Sequence, residues 1–412
     1  MAKKPIQNDV LVGIDIGTSK VVTLVGSMMP DGKLNILGMG SYPSQGLKRG
    51  VVVNLESTIR SIQRSVEEAE RMADCEVFSA YAGIAGSHIR SMNSHGIVAI
   101  QDREVSQVDV DRVLDAAKAV ALPADQKVLH VLPQEFIIDH QDAIREPIGM
   151  SGVRLEVKVH IVTGALGAAQ NIVKCMNRCG LSANDIVLEQ FASSQSVLSD
   201  DEKELGVCMI DIGGGTSDIA IFLNGAIKHT AVIPIAGDQV TNDIAIALRI
   251  PTRSAEEIKL KHACALQEYA EAQEMIELPP IGDRPSKKIP KRALAEVVEA
   301  RYEELFTLAQ NELRRTGLHD LIAEGIVLTG GASKVPGAQE LAERIFKVPV
   351  RVGAPQEVYG MPEINNNPIY ATSVGLLLYG HRERQTGREI MLHQPNVKSL
   401  WSRMRSWFQG NF

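Results

Sequence analysis

One sequence pattern occurs twice in this chain and limits what it can fold into. A hydrophobic strand that ends in an acid, a glycine turn with hydroxyl residues, and a second alternating strand are found at 10–26 and again at 209–222. The later copy reads MIDIGGGTSDIAIF, and the earlier copy has Asp15 followed by Gly17-Thr18-Ser19-Lys20. The sequence therefore predicts two similar β-hairpins, as expected for a duplicated fold.

A glycine-rich turn between two strands lets backbone amides converge on an anion, because residues without a Cβ permit positive φ and close approach. Phosphate is the anion that best fits such a turn. A Rossmann fingerprint does not match, since Gly213-x-Gly215 is followed by Asp218 instead of a third glycine and the turn leads into a strand. A P-loop does not match either, because Gly17 is followed by Thr-Ser-Lys and a β-branched run.

Two such hairpins facing each other across a cleft would hold the β- and γ-phosphates of a nucleotide from both sides. Asp15 and Asp211 would then hold Mg²⁺, through water. The remaining residues predicted at the phosphates are Gly17, Thr18, Ser19, Lys20, Gly213, Gly214, Gly215, Thr216 and Asp218.

The two hairpins resemble the phosphate-1 and phosphate-2 loops of the superfamily of actin, sugar kinases and heat-shock ATPases. Residues 326–337, IVLTGGASKVPG, resemble the adenosine loop of that superfamily. The resemblance implies ATP as the ligand, with Glu256 and Lys259 of a predicted helix at the ribose and adenine. A solvated helix face is the alternative for these two charges, and three unrelated glycine turns are the alternative for the loops. The other residues assigned to the nucleotide are Gly237, Gly330, Gly331 and Ala332.

Length and composition narrow the possibilities further. At 412 residues the chain exceeds what one hydrophobic core supports, so two domains are expected. A net charge of −7 argues against nucleic-acid binding. No signal peptide is recognised, which predicts a cytosolic protein. Five cysteines without a CxxC argue against a disulfide framework; Cys175 and Cys179 could suit a metal, but we interpret them as helix-packing residues.

The segment 87–161 is predicted to be a small α+β module inserted into the first domain. Strands are expected at 96–100, 128–139 and 153–162, around a helix at 106–121 that opens with the capping pattern Ser106-x-x-Asp109. Helices are also predicted at 55–72, 166–179, 234–248, 254–266, 294–314 and 370–379, and a strand leading into a helix at 184–198.

The predicted fold class is α/β: a duplicated two-domain fold like that of actin and the heat-shock ATPases, with the α+β insertion and a C-terminal amphipathic helix. The predicted boundaries are 1–86 and 162–204 for the first domain, 87–161 for the insertion, 205–241 and 301–369 for the second domain, 242–300 for its outer subdomain, 370–380 for a hinge helix, 381–395 for a flexible linker and 396–412 for a membrane-targeting helix.

The last 17 residues have the pattern of an amphipathic helix, with both tryptophans of the chain on its apolar side and no acidic residue. A helix that packs on the core is the alternative, but the polar linker before it favours a helix that lies on an anionic membrane. The residues predicted to bind the membrane are Val397, Leu400, Trp401, Arg403, Met404, Arg405, Trp407 and Phe408.

The insertion and the terminal helix together make the chain similar to the FtsA family of bacterial cell-division proteins. The similarity covers essentially the whole chain, including ELGVCMIDIGGGTSDIAIF, VLHVLPQEF and SGVRLEVKVH. It implies an ATP-binding filament protein that anchors the tubulin-like FtsZ to the inner membrane at the division septum and recruits later divisome membrane proteins. The FtsZ C-terminal tail is expected to bind the outer part of the second domain, between about 234 and 301, at the cations Lys291, Arg292 and Arg301; a solvated helix face is the alternative for these charges.

The catalytic residue is left unassigned: Glu189, Gln134 and Glu135 are considered and none is chosen, so hydrolysis is expected to be slow or to serve as a polymer switch. Other members of the superfamily are alternatives. A sugar kinase has no use for a terminal membrane helix, and a heat-shock chaperone needs a substrate-binding domain where only 32 residues follow Gly380. A nucleotide-binding scaffold of pilus assembly is the second choice, ahead of an MreB-like filament.

Overall fold

The computed structural model describes residues 10–271, 273–280 and 285–385. Within them the chain has two α/β halves, and the sheet of each half contains one of the predicted hairpins. The duplicated α/β fold predicted from the sequence is confirmed. Most of the predicted linker, from residue 386, and the whole membrane helix at 396–412 lie outside the described residues.

The first half begins with a mixed sheet and one long helix. Its elements are β1 (Val10–Ile16), β2 (Lys20–Met28), β3 (Leu34–Pro43), β4 (Leu47–Lys48), β5 (Val51–Val52), α1 (Leu55–Ala73) and β6 (Ser79–Ile84). β1 pairs antiparallel with β2 and parallel with β6, so Asp15 comes near the end of a central strand. α1 begins where the sequence predicts because Asn54 accepts the backbone N–H of Ser57 as its N-cap.

The insertion is a four-stranded antiparallel sheet with one helix. Its elements are β7 (Arg90–Ala99), α2 (Gln107–Lys118), β8 (Gln126–Ile138), β9 (Gln141–Ile144) and β10 (Arg154–Ala165), with strand order β7-β10-β8-β9. The predicted capping box is present: Ser106 accepts from the N–H of Asp109, and the Asp109 carboxylate accepts from the N–H of Ser106. β7 begins six residues before the predicted strand, because its exposed polar residues hide the alternation, and β9 was not predicted.

One strand and three helices then carry the chain into the second half. The connecting elements are α3 (Leu166–Arg178), β11 (Ser182–Leu188), α4 (Glu189–Val197) and α5 (Asp200–Leu205). Those of the second half are β12 (Val207–Ile212), β13 (Ser217–Leu223), β14 (Ala226–Ile233), α6 (Gly237–Leu248), α7 (Thr252–His262), β15 (Met275–Leu278), β16 (Lys287–Pro290), α8 (Lys291–Arg315), β17 (Ile326–Thr329), α9 (Ala338–Phe346) and β18 (Val350–Val352). β19 (Val358–Tyr359) returns to the first sheet beside β3, before α10 (Ala371–Gln385).

Several predicted boundaries differ from the structure. α6 runs through the predicted boundary at 241/242, α8 through that at 300/301, and β10 through that at 161/162. Each of these elements has buried residues on both sides of the predicted boundary, so none of the three boundaries coincides with the end of an element. The predicted end of the hinge helix at Gly380 is wrong as well, because α10 continues to Gln385.

Helices α4 and α10 cross in close contact. A Cβ added to Gly375 of α10 would overlap the carbonyl oxygen of Ala192 of α4. The helices therefore meet backbone to backbone, and only glycine permits this separation.

The insertion also contacts the second half. On β10, His160 hydrogen-bonds Asn93 Oδ1 at 2.8 Å and Thr230 Oγ1 of β14 at 3.0 Å. Gln134 Nε2 donates to the carbonyl oxygen of Ile227 at 2.9 Å. These contacts lay the insertion along β14, the edge strand of the second sheet, and protect that edge from pairing with another chain.

Candidate functional site

The turns of the two hairpins lie against each other. A Cβ added to Gly214 would be 3.0 Å from Ser19 Cβ, and one added to Gly215 would be 2.5 Å from Thr18 Oγ1. The backbone N–H of Asp238 donates to the carbonyl oxygen of Gly214 at 2.8 Å, which fixes the second turn against the start of α6. Two glycine turns from different halves thus form one site, as the sequence predicts.

A cleft of about 540 Å³ opens at this meeting point. Every residue assigned from the sequence to phosphate, ion or base lines it: Asp15, Gly17, Thr18, Ser19, Lys20, Asp211, Gly213, Gly214, Gly215, Thr216, Asp218, Gly237, Glu256, Lys259, Gly330, Gly331 and Ala332. The volume falls in the range of small-molecule sites, about 300 to 1,000 Å³. The structure therefore brings the three glycine loops and α7 to one cavity.

Four carboxylates lie close together in the cleft: Asp211 and Asp218 are buried, and Asp15 and Glu189 are half-buried. Burial raises the pKa of Asp15 to about 7, with help from the nearby charge of Asp211, and burial raises the pKa of Asp218 to about 8. Burial also raises the pKa of Asp211, and it raises that of Glu189 well above its usual range. Such a group of acids is costly to bury unless a cation balances it.

The surroundings of these acids fit a hydrated divalent cation. Asp218 Oδ1 is buried and has no hydrogen-bond partner, although its other oxygen accepts from Thr216 at 2.8 Å. Among the described residues, no three His, Cys, Asp or Glu side chains converge closely enough to ligate one ion directly. Mg²⁺ keeps several waters and takes one or two carboxylates together with phosphate oxygens, so Asp15 and Asp211 suit it through water.

Gly330 supports Asp211 from behind. A Cβ on Gly330 would overlap Asp211 Oδ1, and the residue has φ +83°, so glycine is required on both counts. The glycine of the third loop therefore also sets the position of an acid of the second loop, a role that the sequence pattern did not indicate.

Helices α7 and α8 and the third loop form another part of the cleft lining. Lys259 Nζ donates to the carbonyl oxygen of Gly237 at 3.0 Å and to Thr241 Oγ1 at 2.8 Å, and it lies 2.7 Å from Glu256 Oε2. The Lys259 side chain is only 12% exposed, which excludes a solvated helix face for this cation. Apolar and aromatic residues complete this part of the cleft lining: Leu260, Ala263, Tyr302, Val335, Pro336 and Ile369.

Known proteins are similar to this chain along nearly its whole length. A family model described as "Cell division protein FtsA" matches residues 208–375, and one described as "SHS2 domain inserted in FTSA" matches residues 86–163. A Cell division protein FtsA from Pseudomonas aeruginosa is 61% identical over 408 residues, 98% of each chain. The chain belongs to the FtsA family. The FtsA of Escherichia coli strain K12 is 44% identical over 99% of this chain and 100% of that protein.

Solved structures with the same fold are more distant from this FtsA-family chain. The PilM-PilN type IV pilus biogenesis complex has a TM-score of 0.65 at 16% identity, covering 90% of this chain and 98% of its own. MreB5 of Spiroplasma citri bound to ADP has a TM-score of 0.57 at 15% identity, covering 93% of this chain and 98% of its own. At these identities the likeness shows the actin-like fold alone. The family relationship confirms the first choice from sequence, the FtsA family, over the pilus scaffold that was the second choice.

In this FtsA-family chain, two of the three residues predicted to bind FtsZ are already paired. Arg301 donates from Nε to Asp243 Oδ2 at 2.5 Å and from Nη2 to Oδ1 at 3.0 Å, and it also contacts Glu304. Its guanidinium thus joins α8 to α6, a contact that a pattern of charges does not reveal. Lys291 pairs with Glu274 at 3.0 Å, whereas Arg292 is exposed.

The cleft of this FtsA-family protein also contains residues that sequence reasoning did not select. Glu189, considered but not chosen, lies among the acids at the start of α4; a Cβ on Gly83 would be 3.0 Å from its Cγ. Its position at a strand-to-helix junction, directly after the buried strand β11, was the available signal. The other unselected polar or charged lining residues are Asp238, Lys334 and Thr372.

Proposed function

We propose that this FtsA-family protein binds ATP with Mg²⁺, forms actin-like filaments, anchors the FtsZ ring to the cytoplasmic membrane and recruits later division proteins. One observation carries the nucleotide part of this proposal. Two glycine turns from the two halves meet at a cleft that holds four clustered carboxylates and, along α7, α8 and the third loop, apolar and aromatic side chains together with Lys259 and Glu256. These features match the triphosphate, the metal ion and the base of Mg²⁺-ATP.

The residues of the chain divide the binding between them. The turns at 17–19 and 214–215 present backbone N–H groups to phosphate oxygens, while the N–H of Gly213 donates to the carbonyl oxygen of Thr216. Lys20 adds a positive charge beside Asp15. When bound, Mg²⁺ supplies positive charge that neutralises phosphate and carboxylate oxygens together. Leu260, Ala263 and Ile369 offer apolar contact for a base.

Calorimetry of the full-length chain tests the nucleotide part. ATP titrated with Mg²⁺ present should bind in the micromolar range or tighter, and chelation of Mg²⁺ should weaken the binding at least ten-fold. AMP with Mg²⁺ is the matched control, because it keeps the base and ribose but lacks the β- and γ-phosphates. Equal affinity for ATP and AMP would contradict the phosphate assignment.

The membrane part of the proposal rests on the sequence of the last 17 residues. Six apolar side chains contribute on the order of a few kcal/mol when partly inserted, and each of three cations contributes about 1 kcal/mol at an anionic surface. One such segment binds reversibly, whereas subunits joined in a filament hold many segments at high effective concentration on one membrane. Filament formation therefore strengthens attachment. Separately, none of the helices in the described ranges is long and apolar enough to cross a bilayer.

A further inference from the structure

Two neighbouring residues at the start of α10 face the two aspartates of the cleft. Thr372 Oγ1 lies 3.4 Å from Asp211 Oδ2, in the second half, and Ser373 Oγ lies 3.5 Å from Asp15 Oδ2, in the first half. Both hydroxyl residues are buried. One helix turn thus reaches the acid that ends each of the two hairpin strands.

The contact with Asp211 is strengthened by α4. Ser193 Oγ donates to Asp211 Oδ2 at 2.5 Å, and Ser193 Oγ is 2.9 Å from Thr372 Oγ1. When Asp211 is ionised, its carboxylate can only accept hydrogen bonds. Ser193 therefore donates its O–H to Asp211 and accepts a hydrogen bond from the O–H of Thr372. The hydroxyls form a chain from α10 through α4 to the acid.

The helices that carry these hydroxyls have little room to move independently. Gly375 of α10 meets the carbonyl oxygen of Ala192, next to Ser193, without space for a Cβ. A Cβ on Gly13 of β1, the strand that bears Asp15, would be 3.1 Å from the carbonyl oxygen of Ser373. A displacement of either aspartate is therefore passed to the crossing point of α4 and α10, since packed interiors transmit strain.

We propose that Ser193, Thr372 and Ser373 are positioning residues that tie the two cleft aspartates to the crossing helices, so that binding of Mg²⁺ and nucleotide tightens the crossing of α4 and α10. This inference rests on the proposed nucleotide function and adds the route by which the cleft acts on the junction of the two halves. Groups that orient a metal-binding carboxylate usually change metal affinity about ten- to one-hundred-fold when removed.

The test uses full-length protein with a non-hydrolysable ATP analogue, with and without Mg²⁺. Calorimetry measures the gain in affinity that Mg²⁺ gives, and hydrogen exchange measures the protection of peptides from α4 and α10. In the wild type, Mg²⁺ and analogue together should increase that protection. Ser193→Ala and Thr372→Val should reduce the Mg²⁺-dependent gain about ten-fold and abolish the added protection, while affinity without Mg²⁺ changes little.

Two further variants separate this role from simple packing. Thr372→Ser keeps the hydroxyl and should restore both readouts. Ser196→Ala is the matched control on α4, because Ser196 Oγ donates to the carbonyl oxygen of Ala371 at 2.6 Å, across the same helix pair, without touching an acid. It should behave like the wild type. If Thr372→Val fails to fold, Ser193→Ala decides the question.

The outcomes are distinct. If both Ser193→Ala and Thr372→Val keep the wild-type gain in affinity with Mg²⁺ and the wild-type protection of α4 and α10, the inference is overturned. The proposal that the protein binds nucleotide would not be affected. Equal losses in Ser196→Ala would also overturn the inference, since any hydroxyl between the helices would then suffice. A wild type without Mg²⁺-dependent binding of the analogue would remove the proposed function and this inference together.

Discussion

Gly215 of the second hairpin lies directly against Thr18 of the first, so closely that a Cβ on the glycine would be 2.5 Å from Thr18 Oγ1. Thr18 Oγ1 also accepts the backbone N–H of Gly50 at 2.9 Å. The first hairpin is therefore held in place on one side while the second closes over it. The separation of the two turns sets the space available to phosphate, and residues at this contact should control nucleotide binding.

Gly214→Val should abolish detectable ATP binding. The added side chain would enter the space beside Ser19, where phosphate must approach the backbone. Asp211→Ala should weaken binding only when Mg²⁺ is present, because it removes an anchor for the ion. Calorimetry with and without Mg²⁺ measures both, and Gly167→Val, at an exposed position of α3 where a Cβ would meet nothing within 4 Å, is the control. Unchanged affinity in both cleft variants would contradict the phosphate and ion assignments.

Lowering the pH should destabilise the protein partly through His160. Burial, aided by the neighbouring His229, lowers the pKa of His160 to about 4 from 6.5. The unfolded chain therefore binds a proton that the folded chain resists, and stability is lost as the pH falls from about 6.5 towards about 4. The shift corresponds to about 3 kcal/mol over that range.

His160→Gln keeps a side chain that can bond Asn93 and Thr230 but does not titrate. Denaturant unfolding at pH 7 and pH 5 measures how much the free energy of unfolding falls between the two pH values. This fall should be smaller for the variant than for the wild type. His140→Gln, at an exposed histidine of the same insertion, should leave the fall unchanged. A wild-type pH dependence in His160→Gln would show that the buried histidine is not responsible.

Charge reversal in the outer subdomain should separate stability from FtsZ binding. Arg301→Glu should lower the free energy of unfolding by about 2 kcal/mol, because it breaks two hydrogen bonds to the Asp243 carboxylate. Arg292→Glu should leave stability unchanged and weaken binding of the FtsZ tail peptide. Thermal melting and peptide titration measure these effects. Full peptide affinity in Arg292→Glu and Lys291→Glu would place the FtsZ site elsewhere.

Trp401→Glu should release the protein from anionic liposomes while ATP binding stays unchanged. The substitution replaces a large apolar side chain with a charge on the predicted membrane face. Ser406→Glu adds the same charge on the face that the sequence pattern places opposite, and it should weaken attachment only modestly. An unrelated membrane anchor fused in place of 396–412 should restore attachment. A chain that stays bound after deletion of 396–412 would contradict this assignment.

Local sequence was enough to predict the features that depend on neighbouring residues. The two hairpins follow from strand, glycine and strand in order, and the start of α2 follows from Ser106 and Asp109. The residues of the three glycine loops were predictable because each loop follows directly from a buried strand, whereas Glu256 and Lys259 were assigned through the resemblance to the actin superfamily. The residues of each of these patterns are close together in the sequence, so a single sequence is enough to recognise them.

Features that arise from distant contacts could not be predicted in this way. Arg301 looks like a free cation until α6 brings Asp243 to it, and the end of α10 at Gln385 lies in a polar stretch without helical periodicity. The hydroxyl chain from Thr372 to Asp211 joins residues 161 positions apart. Such contacts depend on how helices cross, which spacing along the chain does not specify.

Recruitment of FtsZ to membranes tests the central proposal most directly. Purified full-length protein is sedimented with anionic liposomes and FtsZ, with and without Mg²⁺-ATP, and FtsZ in the pellet is measured. FtsZ should pellet only when this protein is present, and Mg²⁺-ATP should increase the amount of FtsZ in the pellet. Trp401→Glu and Gly214→Val should each reduce that amount. FtsZ that stays in the supernatant while this protein pellets with the liposomes would contradict the proposed role as a membrane anchor.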